Sequence, residues 1–272
     1  VLAGDMAWLD AWPVNGAGWV LPELERCFLR HARGLDLVRR LLEAAVAGRL
    51  GRGIIACDSW AWAFLQRVWA IPQPEVYTLQ AFDANRLAVH LLNPASAGAG
   101  HGLWVRNART GEDVLPLGDV EGGVPASDEM RRLAAHCRDN PGIAWRYWRS
   151  HLRPEPDPSA ADIDAENGQP ADAWPADTDT MWWSSGRDPV MPADTGDDMA
   201  FVLHGLLLHN GLPEELLARL MPLSRDQLGA VLQRLARLGL VECDVRPWQV
   251  APLGYAAARD FLRGRGYLVD AF

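Results

Sequence analysis

Apolar positions along the chain alternate between short continuous runs and longer stretches spaced at three and four residues. Trp19-Val20-Leu21 is the first run, closed by Pro22. Residues 23–33 have helical character, and Gly34 separates them from a second helix with Leu35, Val38, Leu41, Leu42 and Val46 on one face. Gly48 and Gly51 stop that helix. Residues 53–57 are short, β-branched and wholly apolar, which is the composition of a buried parallel strand. Asp58 or Ser59 then caps a helix over 60–69, broken by Pro72 and Pro74. Residues 75–79 are a third strand candidate, and Asp83 caps a helix through Leu92. A strand–helix–strand–helix order of this kind predicts a parallel α/β sheet with polar groups where the second strand ends.

The remaining pattern extends this picture. Residues 1–18 are Trp-rich and punctuated by Pro13, Gly16 and Gly18, which predicts a loop or hairpin packed on the sheet. A small hairpin is expected from 103–105 and 114–115. Ser127 caps a helix carrying Met130, Leu133 and Cys137, residues 139–142 turn the chain, and 143–152 form the next helix. Residues 154–180 are rich in Pro, Ala and Asp with almost no aliphatic residues, so they bury too little surface to order themselves. A docked strand is expected at 180–183. The last stretch reads as helices over 199–209, 213–221 and 225–238, a two-stranded wing around Arg246-Pro247, and a final helix through Leu262. Pro213 falls in a first turn, where proline is tolerated, and Ser224 is an N-cap. Three helices and a hairpin in that order describe a winged helix. The expected domains are therefore 1–153, a linker over 154–196, and 197–272.

Charge sharpens the division. The chain of 272 residues has net charge −9, and residues 154–196 hold ten Asp/Glu against one arginine, leaving the flanks neutral on balance. An acidic total does not favour nucleic acid as an obligatory partner, and the linker reads first as a solvated tether. No apolar run approaches a membrane span, so no membrane insertion is expected, and the N-terminus lacks the pattern of a signal peptide. Cys27, Cys57, Cys137 and Cys243 are scattered without a CxxC pair, which fits free thiols in a cytoplasmic protein. All 26 basic residues are arginine; there is no lysine.

The order of pieces resembles the second half of a P-loop NTPase of the AAA+ or STAND type. Trp19-Val20-Leu21-Pro22-Glu23 resembles a Walker B strand, and Gly53-Ile54-Ile55-Ala56-Cys57-Asp58-Ser59 a sensor-1 strand. Tyr77-Thr78-Leu79-Gln80-Ala81-Phe82-Asp83 resembles the lead into a helical lid, and Asn140-Pro141 within residues 133–144 the sensor-2 turn. A winged helix after the lid is common in these families. The resemblance implies a partial or degenerate P-loop NTPase-like sheet with a helical lid over 1–153, and ATP with magnesium as the cofactor. It places Glu23 as the water-polarising carboxylate, Asp58 and Ser59 as a nucleotide sensor, and Arg146 (or Arg149) as the arginine reaching inward from the lid. A P-loop needs glycine amides to cradle phosphates and a lysine for the outer phosphates. The Gly98–Gly102 stretch follows a helix rather than a strand and is no substitute. The P-loop is therefore either supplied from outside this chain or lost, and no catalysis is expected from this chain alone.

Each candidate has a plainer structural reading. Glu23 and Glu25 suit a helix N-terminus, where carboxylates complement the macrodipole. Asp58 and Ser59 suit an N-cap, although open α/β sheets also bind ligands at strand carboxyl ends. Trp60, Trp62 and Trp69 form either a binding platform or core packing, of which packing is the commoner use. Cys27 and His31 are four apart but lack a second pair of metal ligands, so no metal is expected. His204 and His209, five apart, do not share a helix face. Two functions follow. One is a nucleotide-linked regulatory or scaffold protein that meets a protein partner through its winged helix or lid. The other is a DNA-binding regulator with an N-terminal sensing domain, in which Arg225, Gln233, Arg234 and Arg237 face the duplex.

Overall fold

The computed structural model describes residues 6–12, 18–70, 75–79, 82–99 (backbone only for 93–99), 104–115, 126–137, 140–155, 180–184, 186, 188–243 and 247–268. The protein is mixed α/β and about 52% helical, with small parallel and mixed sheets. It divides into two compact units, Val1–Thr78 with Pro189–Phe272, and Leu79–Asp188. These units cut the chain at other places than the divisions expected after 153 and 196.

The first half of the discontinuous unit begins with a helical turn at Ala7–Asp10. Strand β1 (Trp19–Leu21), helix α1 (Asp36–Val46), strand β2 (Gly53–Ile55) and helix α2 (Ser59–Val68) follow. β1 and β2 pair in parallel, Trp19 with Gly53 and Leu21 with Ile55. Trp19, Leu21 and Ile55 pack against a core of Leu24, Phe28, Val38, Leu41, Leu65 and their neighbours. The Trp19 indole lies over Gly53, where a Cβ would fall 2.1 Å from the ring, and its Nε1 donates to the Leu50 carbonyl at 2.7 Å. Among the described residues the core covers this face. Val20 and Ile54, paired on the opposite face, are 68% and 67% exposed, so the expectation of a fully buried parallel strand is corrected.

Two expected elements take other forms. Residues 23–33 are not a helix; a 3-10 turn, Leu24–Cys27, is all that forms, and Phe28 is already extended. Leu24, Phe28 and Leu29 all point inward, which requires the chain to double back. The Leu29 amide donates to the Gly34 carbonyl at 3.0 Å, in an approach so close that a Cβ at Gly34 would lie 2.2 Å from the Leu29 oxygen. Residues 75–79 are exposed and join no strand ladder among the described residues. The cap of α2 forms as expected, Asp58 Oδ1 accepting from the Trp60 amide at 2.9 Å.

The second unit contains α3 (Ala84–Ala99), β3 (Trp104–Asn107), α4 (Asp128–Cys137), α5 (Pro141–His151), β4 (Leu152–Arg153) and β5 (Thr180–Trp183). β5 is the expected docked strand and lies centrally, parallel to β3 and antiparallel to β4. The small hairpin expected from 103–105 and 114–115 forms as a short turn around an Arg106–Asp113 bridge, the Val114 amide donating to the Val105 carbonyl and the Asn107 amide to the Glu112 carbonyl, both at 2.8 Å, while β3 makes its longer pairing with β5. Asn140 caps α5 through the Ile143 amide at 3.0 Å, and Ser127 caps α4 at 3.3 Å. Most of the acidic segment predicted to stay unordered, 156–179, lies outside the described residues, as do 13–17 and 244–246 of the expected terminal loop and wing.

The discontinuous unit resumes with α6 (Asp197–Leu208), α7 (Glu214–Leu220), α8 (Arg225–Arg237), an antiparallel pair of β6 (Val241–Glu242) and β7 (Gln249–Val250), and α9 (Tyr255–Gly264). α6 is apolar all round and is buried from Met199 to Leu208 save for Phe201, so it is the central helix of this half. α8 starts with a capping box, Ser224 Oγ accepting from the Gln227 amide and Gln227 Oε1 from the Ser224 amide. Leu208 belongs to the same core as Leu24, Phe28 and Leu65, so the last 84 residues complete what the first 78 begin. Among the described residues no helix is long and apolar enough to cross a membrane.

Candidate functional site

Because β1 and β2 run parallel, the segments leaving their carboxyl ends lie side by side. The Ala56 amide donates to the Leu21 carbonyl at 2.8 Å and the Leu24 amide to the Ala56 carbonyl at 3.0 Å. One step further, the Asp58 amide donates to Glu25 Oε2 at 3.1 Å. Glu25 is buried, 4% exposed, whereas Glu23 stays near the surface and pairs with Arg26 at 2.9 Å. An exposed pair of that kind contributes little. The carboxylate held at the strand ends is thus Glu25, and Glu23, the residue assigned by the sequence, faces Arg26. The 3-10 turn after Pro22 causes the exchange, since it turns the second glutamate inward.

Cys27 and Cys57 flank this carboxylate. Burial pushes both thiols up and the charge of Glu25 adds to the shift, so both stay protonated and weakly nucleophilic at neutral pH. Asp58 is engaged as the α2 cap while its amide holds Glu25. Glu25→Ala leaves the half-buried Asp58 amide without its acceptor, and the expected loss is about 1–3 kcal/mol. Glu25→Gln keeps an acceptor oxygen and loses less. Urea unfolding of the two variants side by side checks this; equal losses would mean that the amide bond contributes nothing.

Glu25 also touches the C-terminal half of its unit. His209 Nδ1 donates to the Glu25 carbonyl at 3.4 Å, and the Arg30 amide donates to His209 Nε2 at 3.3 Å. The Arg30 guanidinium donates to His204 Nδ1 at 2.7 Å. A guanidinium and a backbone N–H can only donate, so His204 Nδ1 and His209 Nε2, which face them, are unprotonated and both histidines are neutral. Burial, and then the charge of Arg30, lowers His204 to about 4 against the opposing hydrogen bond with the Leu268 backbone. Burial lowers His209 to about 4 as well, and Arg30 adds to it. Sequence spacing missed this pair. α6 ends at Leu208, so His209 leaves the helix and its ring turns toward the same arginine that His204 meets from within.

The other predicted residues are dispersed. Ser59 opens α2 beside Asp58, and Arg146 stands on α5 of the other unit. Arg225, Gln233, Arg234 and Arg237 are exposed on α8, where Arg234 reaches Asp194 at 3.4 Å and Arg237 Nε donates to the Gln233 carbonyl at 3.3 Å. Trp60 is core rather than platform, 3% exposed, with Nε1 donating to the Tyr255 hydroxyl at 3.2 Å. Cys27 and His31 gain no further ligands, and among the described residues no group of His, Cys, Asp and Glu is placed to hold a metal. A cavity of about 510 Å³ beside α1, lined by Leu9, Trp12, Leu50, Arg40, Arg49 and Glu43, contains none of the predicted site residues.

Comparison of the chain with known protein families, curated proteins and solved structures returns no match.

Proposed function

We propose that this chain is a regulatory or scaffold module of AAA+/STAND type, working through nucleotide-linked and protein–protein contacts rather than through catalysis of its own. The observation that supports the reading best is the hydrogen-bonded path from the strand ends into the C-terminal helices. It runs from the Asp58 amide to the Glu25 carboxylate, from the Glu25 carbonyl to His209, and through Arg30 to His204 on α6. A ligand that draws on Asp58 or Ser59 alters the Asp58–Glu25 bond, and the backbone of Glu25 is what His209 holds. The parallel adjacency of 19–21 and 53–55 is the arrangement that the NTPase resemblance requires of its Walker B and sensor-1 strands. With no lysine in the chain, the grip on outer phosphates comes from elsewhere, and Asp58 and Ser59 supply the polar end of β2. The helices α6 to α8 and the β6–β7 hairpin then serve as a winged helix that contacts a protein. The DNA-reading alternative has the exposed side chains of α8 in its favour; the Arg234–Asp194 pair and the near-neutral charge of residues 197–272 weigh against it.

The test is thermal unfolding with magnesium and ATP or ADP. A ligand at about a hundred times its dissociation constant adds roughly 2.7 kcal/mol of stability. Asp58→Asn, which keeps a good N-cap and removes the charge, is expected to abolish that gain. No gain in the unaltered protein removes the nucleotide from the reading.

A further inference from the structure

Among the described residues, one edge of the β1–β2 sheet is unpaired and a strand-like segment of the same chain joins no ladder. The Trp19 amide donates to the Arg52 carbonyl at 3.2 Å and the Ala56 amide to Leu21. In the alternation of a parallel ladder, Arg52, Ile54 and Ala56 therefore face β1, while the amides and carbonyls of Gly53 and Ile55 face the other edge of β2. Among the described residues no third strand pairs there. The far edge of β1 is a poorer template, because it offers Val20 and then Pro22, which has no N–H. Beside the open edge lies the bare face of the sheet, with Val20 and Ile54 about two-thirds exposed. Parallel sheets are normally covered on both faces.

Residues 75–78, Glu-Val-Tyr-Thr, have the β-branched and aromatic composition of a strand. They join no ladder among the described residues, and Val76 and Tyr77 are 50% and 82% exposed. We infer that two copies of this chain associate by strand addition, residues 75–78 of each copy pairing along the Gly53–Ile55 edge of β2 in the other. Main-chain hydrogen bonds supply the attraction, and the side chains of the incoming strand cover the Ile54 side of the sheet. A second copy fits better than an unrelated strand, because it satisfies the open edge and the unladdered segment together. Twofold symmetry then makes every contact twice, which brings a short strand toward the area that a specific interface buries.

The test is light scattering coupled to gel filtration on the full chain, together with hydrogen exchange. A concentration-dependent species of twice 30.0 kDa is expected, with the Ile55 amide protected in it. Tyr77→Pro blocks the incoming strand at an exposed position outside any ladder. It is expected to give a monomer with an unchanged thermal transition at low concentration and a freely exchanging Ile55 amide. Three results overturn the inference. They are a monomer at every concentration (including one with Ile55 protected, which would place the strand in the same chain), a dimer in which Ile55 exchanges freely, and a dimer that survives Tyr77→Pro.

Discussion

Lowering the pH from 7 to 4 is expected to destabilise this protein by on the order of 6 kcal/mol through two histidines alone. His204 and His209 have an ordinary value of 6.5 in the unfolded chain and are held at about 4 in the fold. Above pH 6.5 neither state carries the protons, and stability is at its plateau. Between 6.5 and 4 the unfolded chain binds up to two protons that the folded protein refuses, so stability falls as the pH falls. Below 4 both states are protonated and the loss levels off. The refusal has a geometric cause, since protonation would set an N–H of each ring against an N–H of Arg30. His204 faces Arg30, the Leu268 backbone, Trp60 and Tyr267, and His209 faces Arg30, Phe28 and the Glu25 carbonyl; the hydrogen bonds to the Leu268 and Glu25 backbones favour a proton on each ring, and burial together with Arg30 outweighs them. A loss of that size rivals the whole stability of a typical domain. Urea midpoints across this range measure it. His204→Asn keeps an acceptor near the Nδ1 position but does not titrate, and it is expected to flatten the dependence by about half. The same slope in that variant would sink the assignment.

Phe28→Ala is expected to cost about 3–5 kcal/mol, the range for truncating a buried aromatic. Phe28 is 1% exposed and stacks on Phe64 with ring centroids 5.8 Å apart and planes at 12°. It also meets the ring of His209 at 4.9 Å. The cavity left behind therefore opens beside a buried histidine and admits water to it, so His209 should also titrate closer to its ordinary value. Phe28→Leu keeps most of the volume and should cost clearly less. Equilibrium urea unfolding of both variants, with the histidine resonance followed by NMR, tests the two effects together. A loss under about 1 kcal/mol in Phe28→Ala would mean that the surrounding core collapses onto the site.

The elements legible in the sequence were those whose cause is local. Asp58, Ser127 and Ser224 cap the helices they were expected to cap, and α8 buries Leu228, Leu232 and Leu235 of its predicted face; α1 buries Val38, Leu41 and Leu42 as its spacing predicts, but Val46 at its end is 43% exposed and Leu37 is buried in addition. Residues 23–33 deceived because their apolar positions suit a helix, while the contact of Leu29 with Gly34 is a property of the folded turn. Residues 53–57 and 75–79 both have strand composition. One finds β1 as a partner and the other finds no ladder among the described residues, and composition does not say which. The site was half legible. Asp58 was marked by its place after an apolar run. Glu25 needed the 3-10 turn to distinguish it from Glu23, and the Arg30–His204–His209 cluster joins residues more than 170 positions apart.

That separation in sequence has a consequence for how the protein is made. A ribosome releases Leu24, Phe28, Leu41 and Leu65 long before Leu208, which shares their core. At about 5–20 residues per second the wait is on the order of ten seconds. Through that interval the leading segment lacks Leu208 and the rest of its unit, while Leu79–Asp188 is contiguous in the chain. The middle of the polypeptide is therefore expected to fold before its beginning, and the nascent leading segment is where a chaperone would find the most to hold.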